Sequence, residues 1–254
     1  MPTITAAIIT WNEERNIQRC IESLKDSVDH ILVLDSFSTD TTVAICNQLK
    51  VQVIQRKWEG YAASKNYLNA QVKTDLILSL DADEALSPEL CDEIKAIRLK
   101  GNIGYYSMNR LTNYCGKWIY HSGWFPDVKI RLFPANTIWE GDIVHETLVL
   151  PEDIVIIPLK GLLSHYSYFS HVQHRQRADH YSRLTAIKYV EQGKRVGPLK
   201  PIISGIVRFL KMFVFQLGFL DGSSGWHIAR ISAASNILKY KEVRKLRNGA
   251  KRTS

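Results

Sequence analysis

The run Asp75-Leu76-Ile77-Leu78-Ser79-Leu80-Asp81-Ala82-Asp83-Glu84 ends an apolar stretch in two carboxylates separated by one small residue. A buried strand reads as a short apolar run, and open α/β sheets place their ligands at the C-terminal ends of strands. If the strand stops near Asp81, its carboxylate and that of Asp83 in the following turn converge on one hard divalent cation. Such an ion usually bridges to substrate phosphates. The competing role is an acidic turn ahead of the helix that Ser87-Pro88-Glu89 opens. Asp-X-Asp triplets are common in surface turns, so the triplet alone leaves both roles open.

The elements that must position these acids alternate along the first hundred residues. Thr3–Thr10 reads as a buried strand, followed by Trp11-Asn12-Glu13-Glu14 and a helix through about Leu24, with Asn12 as its cap. His30–Asp35 repeats the pattern of a strand running into an acid. Thr39-Asp40-Thr41-Thr42 leads into the next helix, with Asp40 as its cap. Val51–Ile54, a helix near Ala62–Ala70, the strand Leu76–Leu80 and a helix near Pro88–Leu99 continue the alternation, which predicts a mostly parallel sheet with flanking helices. Neither a GxGxxG turn nor a GxxxxGK[ST] loop is present.

Residues 101–165 change texture, with Tyr105-Tyr106, Trp118-Ile119-Tyr120, Gly123-Trp124-Phe125 and Ile130-Arg131-Leu132-Phe133 suggesting further strands and a substrate-facing lobe. Helical spacing returns from about Ser170. Leu199–Leu220 is apolar but interrupted by Lys200, Pro201, Arg208 and Lys211, too punctuated for a membrane span. It reads either as a helix on an anionic membrane surface or as a core helix pair with a solvated basic face.

With 254 residues, 45% hydrophobic and 23% charged, the chain has the composition of a folded, enzyme-sized protein and not of a disordered one. Its charge is uneven. Residues 1–150 carry 15 Lys/Arg against 19 Asp/Glu, and residues 151–254 carry 18 against 6. Cys20, Cys46, Cys91 and Cys115 form no CxxC pair, and the N-terminus shows no basic region followed by a long apolar stretch. A reducing, cytoplasmic setting is expected. The basic half also raises a different class of function, a nucleic-acid-binding module, although no RNA- or DNA-binding motif accompanies it.

Ile9-Thr10-Trp11-Asn12-Glu13, Leu34-Asp35-Ser36-Phe37-Ser38-Thr39-Asp40-Thr41-Thr42, Gly60 through Lys65-Asn66, and Asp81-Ala82-Asp83 occur in the order seen in family 2 inverting glycosyltransferases, and the chain resembles that family over about its first 150 residues. The Asp-Ser-Phe-Ser-Thr-Asp form, with Val144-His145-Glu146 and Ser164-His165-Tyr166, is most similar to the bacterial lipopolysaccharide-core β-glucosyltransferase subgroup. Many members have two aspartates and a glycine where this chain has Asp35-Ser36-Phe37, which leaves Asp35 as the single carboxylate at that turn.

The resemblance implies a GT-A fold, Rossmann-like, over residues 1–165, with the donor-binding part in about 1–100 and an acceptor-facing part in about 101–165. A basic, membrane-proximal helical extension follows over 166–254. It further implies a UDP-sugar donor, a Mg²⁺ or Mn²⁺ ion, and transfer of a hexose, glucose first, to the lipopolysaccharide inner core. The work would be done peripherally on the inner face of the bacterial inner membrane. Polyprenyl phosphate or polypeptide acceptors are the alternatives.

Residue by residue, Thr10, Asn12 and Glu13 fall in the nucleotide-sugar site. Asp35 contacts nucleobase or ribose unless it only caps its turn. Lys65 meets donor phosphate and Asn66 the nucleotide, unless both lie on an exposed helix face. Asp81 binds ribose or the outer metal shell, Asp83 ligates the metal, and His165 is a further metal ligand or a hydrogen-bonded structural histidine. The resemblance implies that Glu146 is the base that removes the acceptor proton, with Asp127 and Asp142 as competitors. Its alternative is a pair with Arg131 or a helix cap. Trp118, Trp124 and Trp139 either stack on sugar faces or pack.

Overall fold

The computed structural model describes residues 1–24, 26–141 and 146–250. Chain contacts divide them into two units, one of residues 1–111 and 127–166, the other of residues 112–126 and 167–254. Residues 112–126, assigned by sequence to the acceptor-facing lobe, group instead with the helical C-terminal unit.

In the first unit, strands β1 (Ile4–Thr10), β2 (His30–Asp35), β3 (Gln52–Gln55) and β4 (Leu76–Asp81) are parallel neighbours in the order β3-β2-β1-β4. Helices α1 (Ile17–Ser23), α2 (Thr42–Gln48) and α3 (Tyr61–Asn69) connect them. The sheet continues through β8 (Val128–Pro134), β6 (Tyr105–Tyr114), β11 (Ile156–Tyr168) and β5 (Glu84–Leu86), with β7 (Lys117–Ile119) on β6. The expectation of a parallel sheet holds for the first four strands. The β4–β8, β8–β6 and β5–β11 pairs are antiparallel.

β1, β2 and β4 are largely buried on both faces, as strands inside a parallel sheet are, whereas β3 is the half-exposed edge strand. Ile4, Ala6 and Ile8 of β1 join Leu76, Leu78 and Leu80 of β4 under α1 and α4 (Pro88–Lys100), whose Ile17, Cys20, Leu90 and Ile94 are fully buried. Ala7 and Ile77 point the other way, to Ala62 and Leu68 of α3, Phe133 and Trp139. Ser87 caps α4 as expected, accepting from Leu90 N–H at 3.3 Å. Gly161 of β11 permits a close approach there, since a Cβ would meet the Leu90 backbone nitrogen at 2.4 Å.

A two-stranded ribbon, β9 (Trp139–Gly141) with β10 (Glu146–Leu148), sets Glu146 opposite Gly141. The second unit consists of β7, α5 (His171–Glu191), α6 (Lys200–Leu210), a π-helical stretch (Lys211–Phe215), a 3-10 turn (Gly218–Asp221) and α7 (Ser223–Ala250). Its core gathers Tyr114, Ile119, Met212, Ile228 and Ala229. Asp221 ties it together, accepting from the N–H groups of Tyr120 and His121 and from the Ser122 hydroxyl.

Candidate active site

Register brings the sequence-selected residues to one edge. Thr10 stands opposite Asp35 and Ile9 opposite Asp81, so the ends of β2, β1 and β4 lie side by side at the C-terminal edge of the parallel strands. The order of connection reverses at β1, with β2 and β3 laid down on one side of it and β4 on the other. That is the usual ligand crevice of an open α/β sheet.

Asp83 occupies the turn between β4 and β5, and its Oδ2 stands 3.3 Å from Nε2 of His165. Two features place His165 there across 82 residues of chain. β11 sets it opposite Glu84 in the strand register, and Tyr166 N–H donates to the Asp83 carbonyl at 2.8 Å. Burial pushes the Asp83 carboxyl up, but the neighbouring His165 more than offsets this and holds it below its ordinary value.

Ligands about 2.1 Å from an octahedral ion stand about 3 Å from one another, close to the observed separation. The carboxylate oxygen suits Mg²⁺ or Mn²⁺, and an imidazole nitrogen beside it fits the transition metal Mn²⁺ better than Mg²⁺. Among the described residues no group of three or more such side chains is assembled. The rest of an ion's shell would therefore come from substrate phosphate and water, as is common for Mg²⁺.

Asp81, Lys65 and Glu146 form a second group. Lys65 is only 2% exposed, and its Nζ lies 2.8 Å from Glu146 Oε1, 3.4 Å from Asp81 Oδ1 and 4.6 Å from the centre of the Trp139 ring. The exposed-face alternative for Lys65 is corrected: this ammonium is buried between two carboxylates and an aromatic face. Asp81 also accepts from Arg131 at 2.8 Å, and Arg131 donates to Glu84 at 2.5 Å. Glu84 accepts in turn from Arg110 at 3.2 Å and from the Asp81 backbone N–H at 3.0 Å.

Arg110 closes the chain on Asp127, with 2.7 Å between Nη2 and Oδ2. Charges thus alternate from Asp127 through Arg110, Glu84, Arg131, Asp81 and Lys65 to Glu146. Burial pushes the Asp81 carboxyl up, and the cations of Lys65, Arg131 and Arg110 outweigh it, so Asp81 is held ionised well below the usual carboxylate range. Arg131 is driven the opposite way by Glu84 and Asp81 against its own burial.

Sequence reasoning missed Glu84, Arg110 and Arg131. The available signal was Arg131 inside the apolar run Ile130–Phe133, a position where an arginine must be paired. The suggested Glu146–Arg131 pair does not form; Lys65 is the partner of Glu146.

Other expectations change with the contacts. Asp35 has no exposed surface, and its oxygens accept from Ser38 N–H, Ser38 Oγ and Gln55 Nε2. These contacts hold the turn after β2. The Asn66 amide donates to the Trp139 carbonyl at 2.7 Å and accepts from Trp139 N–H at 2.8 Å, holding β9. Asn12 does not cap α1, whose N-cap is Asn16. With φ of 54° it takes Thr39 N–H on Oδ1 and joins the β1–α1 and β2–α2 loops.

Glu13 accepts from Asn16 Nδ2 at 2.7 Å. The N-cap of α2 is Thr41 and not Asp40 as expected; Asp40 stands one residue before it and accepts from Thr42 N–H. Thr10 Oγ1 and Asp81 Oδ1 are buried without a hydrogen-bond partner among the described residues. Asp127 is bound to Arg110 and Lys129, which hold it below its ordinary value against burial and make it a weak base. Asp142 and the Val144-His145 part of its motif lie outside the described residues. Trp139 packs edge-on against Phe133, and Trp124 against Tyr114, so both are packing residues.

The Glycosyl transferase family 2 description matches residues 5–146. The chain belongs to this family. This glycosyltransferase is 34% identical over 261 residues to an uncharacterized glycosyltransferase of Rickettsia typhi, covering 97% of this chain and 88% of the relative. It is 28% identical over 257 residues to the lipopolysaccharide core biosynthesis glycosyltransferase LpsC of Rhizobium meliloti, covering 91% and 90%. Among solved structures, S. aureus TarS 1–349 in complex with UDP-GlcNAc is similar over 97% of this chain and 92% of that one, with 14% identity and a TM-score of 0.48. The architecture is mixed α/β, with helices flanking a sheet of parallel and antiparallel strands. Family membership decides for the enzyme over the basic nucleic-acid-binding module.

Proposed function

We propose that this glycosyltransferase moves a hexose, glucose first, from a UDP-sugar to the inner core of lipopolysaccharide with inversion at the anomeric carbon, and that Asp83 and His165 hold a Mg²⁺ or Mn²⁺ ion for the reaction. The observation that carries this reading is the 3.3 Å approach of Asp83 and His165 at the end of β4. The name of the Rhizobium meliloti relative supports the lipopolysaccharide acceptor.

Each side chain then has a task. Asp81 Oδ1 and Thr10 Oγ1, both without a hydrogen-bond partner, receive or orient donor hydroxyls. Lys65 holds one oxygen of Glu146, whose Oε2 makes no hydrogen bond among the described residues. That oxygen takes the acceptor hydroxyl proton as the acceptor oxygen bonds to the anomeric carbon and UDP departs from the opposite face. A bound divalent cation would neutralise charge gathering on the departing diphosphate.

Titration calorimetry of UDP with and without Mn²⁺, on wild type and Asp83→Ala, tests the site. Mn²⁺-dependent UDP affinity should fall by at least about 10²-fold in the variant, with its melting temperature retained. Unchanged Mn²⁺-dependent affinity rejects Asp83 as a ligand. Transfer assays with UDP-glucose and lipopolysaccharide cores, polyprenyl phosphate or polypeptide then identify the acceptor. Turnover on either of the last two alone overturns the lipopolysaccharide assignment.

A further inference from the structure

The segment 199–220 of the second unit buries Pro201 and Met212 but leaves most of its apolar side chains exposed. Eleven large hydrophobic residues between Leu199 and Leu220 are exposed, among them Ile203, Ile206, Leu210 and Phe215, the last 79% accessible. On α6 the exposed Ile202, Ile203, Ile206, Val207 and Leu210 share one side. The opposite side is packed: Pro201 and Gly205 are buried, and a Cβ on Gly205 would meet Ile237 of α7 at 2.4 Å. Position 205 therefore locks α6 onto α7 and leaves the isoleucine face outward. Scattered exposed hydrophobics are ordinary, but this many on one short stretch mark an interaction surface.

Cations accompany the apolar face. Lys200, Arg208 and Lys211 lie within the segment, and among the described residues none of them is paired with a carboxylate; the same holds for Lys194 and Lys239. Burial together with the nearby charges of Arg208, Lys194 and Lys200 pushes the Lys239 ammonium below its ordinary value, as expected of a cation cluster lacking counter-charge. No helix among the described residues is long and apolar enough to cross a membrane. Exposed isoleucine, leucine and phenylalanine bordered by unpaired lysine and arginine are complementary to an anionic lipid interface, where acyl chains meet acidic headgroups.

We infer that α6 and the two short helical stretches after it, residues 200–221, form a monotopic anchor that lies in the interface of an anionic bilayer. This inference is independent of the donor and acceptor assigned above, because it rests on a surface and is read out without sugar transfer.

Vesicle flotation of the full chain, with neutral phosphatidylcholine against phosphatidylcholine mixed with phosphatidylglycerol, is the test. Wild type should float with the anionic vesicles and release as salt rises. The double variant Arg208→Gln, Lys211→Gln should lose about 30-fold in partitioning, the worth of two cations beside an anionic leaflet. The double variant Ile203→Glu, Phe215→Glu should lose binding altogether, while both keep the wild-type melting temperature and UDP affinity. Equal flotation with neutral and anionic vesicles overturns the proposal. So does an absence of flotation together with a concentration-dependent dimer in sedimentation that the glutamate variant dissociates, since the face would then belong to a second copy of the chain.

Discussion

At the ends of β4 and β5, Glu84, Arg131 and Lys65 are buried, and each lies within 3.4 Å of an opposite charge. Along Leu199–Leu220, Arg208 and Lys211 stand exposed among apolar side chains with no carboxylate partner among the described residues. The two regions place the same residue types under opposite physical constraints. Inside, the loss of hydration makes an unpaired charge cost several kcal/mol, so every cation must be matched. Outside, water solvates the cation at no such cost, and its field stays available to an external anion. One region uses its charges to fix side-chain positions for chemistry, and the other keeps them for a partner.

The largest expected effect tests whether the inner chain of charges serves catalysis or only structure. Glu146→Gln keeps size and a hydrogen-bonding oxygen but removes basicity, so transfer should fall by about 10²–10⁴-fold with UDP and Mn²⁺ affinity retained. Single-turnover rates on folded protein are the measurement. A near-native rate would make Glu146 a purely structural partner of Lys65 and shift the base to a carboxylate beyond the described contacts, Asp142 first.

Next comes stability. Arg131→Met leaves Glu84 with Arg110 and Asp81 with Lys65, each having lost its closest or second cation. About 3 kcal/mol of destabilisation is expected, a fall of about 6–12 °C in melting temperature. Thermal and urea unfolding should agree. A loss below about 1 kcal/mol would mean that the network relaxes around the substitution and that pairing inside is not obligatory.

The acid limb of stability gives a smaller, signed test. Arg110 and Lys129 hold the Asp127 carboxyl below its ordinary value against its burial. A depressed carboxyl stabilises the fold fully above its unfolded value of about 3.9, and that contribution is lost as pH falls through the folded value. Between pH 5 and 3, wild type should therefore lose about 0.5–1 kcal/mol more than Asp127→Asn. Parallel acid curves for the two proteins would remove Asp127 from the network.

The smallest effect is expected in the outer region. Lys211→Gln in solution should change stability by no more than about 0.5 kcal/mol, because no paired charge is left behind. A loss near that of Arg131→Met would mean that Lys211 has a partner and that the contrast between the two regions is false.

Much of the scaffold was legible because parallel strands buried on both faces must be apolar along their whole length. β1, β2 and β4 stand out as such runs, and the acids that end β2 and β4 mark the ligand edge. Asp81, Asp83 and His165 could be selected from order and residue type, as could the Ser87 cap. The antiparallel β8, β6 and β11 were less distinct, since their mixed aromatic and polar patterns fit several pairings. Residues 112–126 gave no local sign that they pack with the C-terminal helices.

Partner choice among charged residues was decided only in three dimensions. Arg110, Glu84 and Lys65 carry no local sign of their partners, and Arg131, marked by its apolar run as needing one, carries no sign of which; the partners lie 16 to 81 residues away. The same holds for Asn66, whose type suits a nucleotide contact but whose amide is taken at both ends by Trp139. Sequence determines which groups can be charged and which strands must be buried, because those properties belong to single side chains and short periods. Which charge neutralises which, and which face of α6 stays uncovered, depend on distances between segments remote in the chain, and only the folded arrangement sets those.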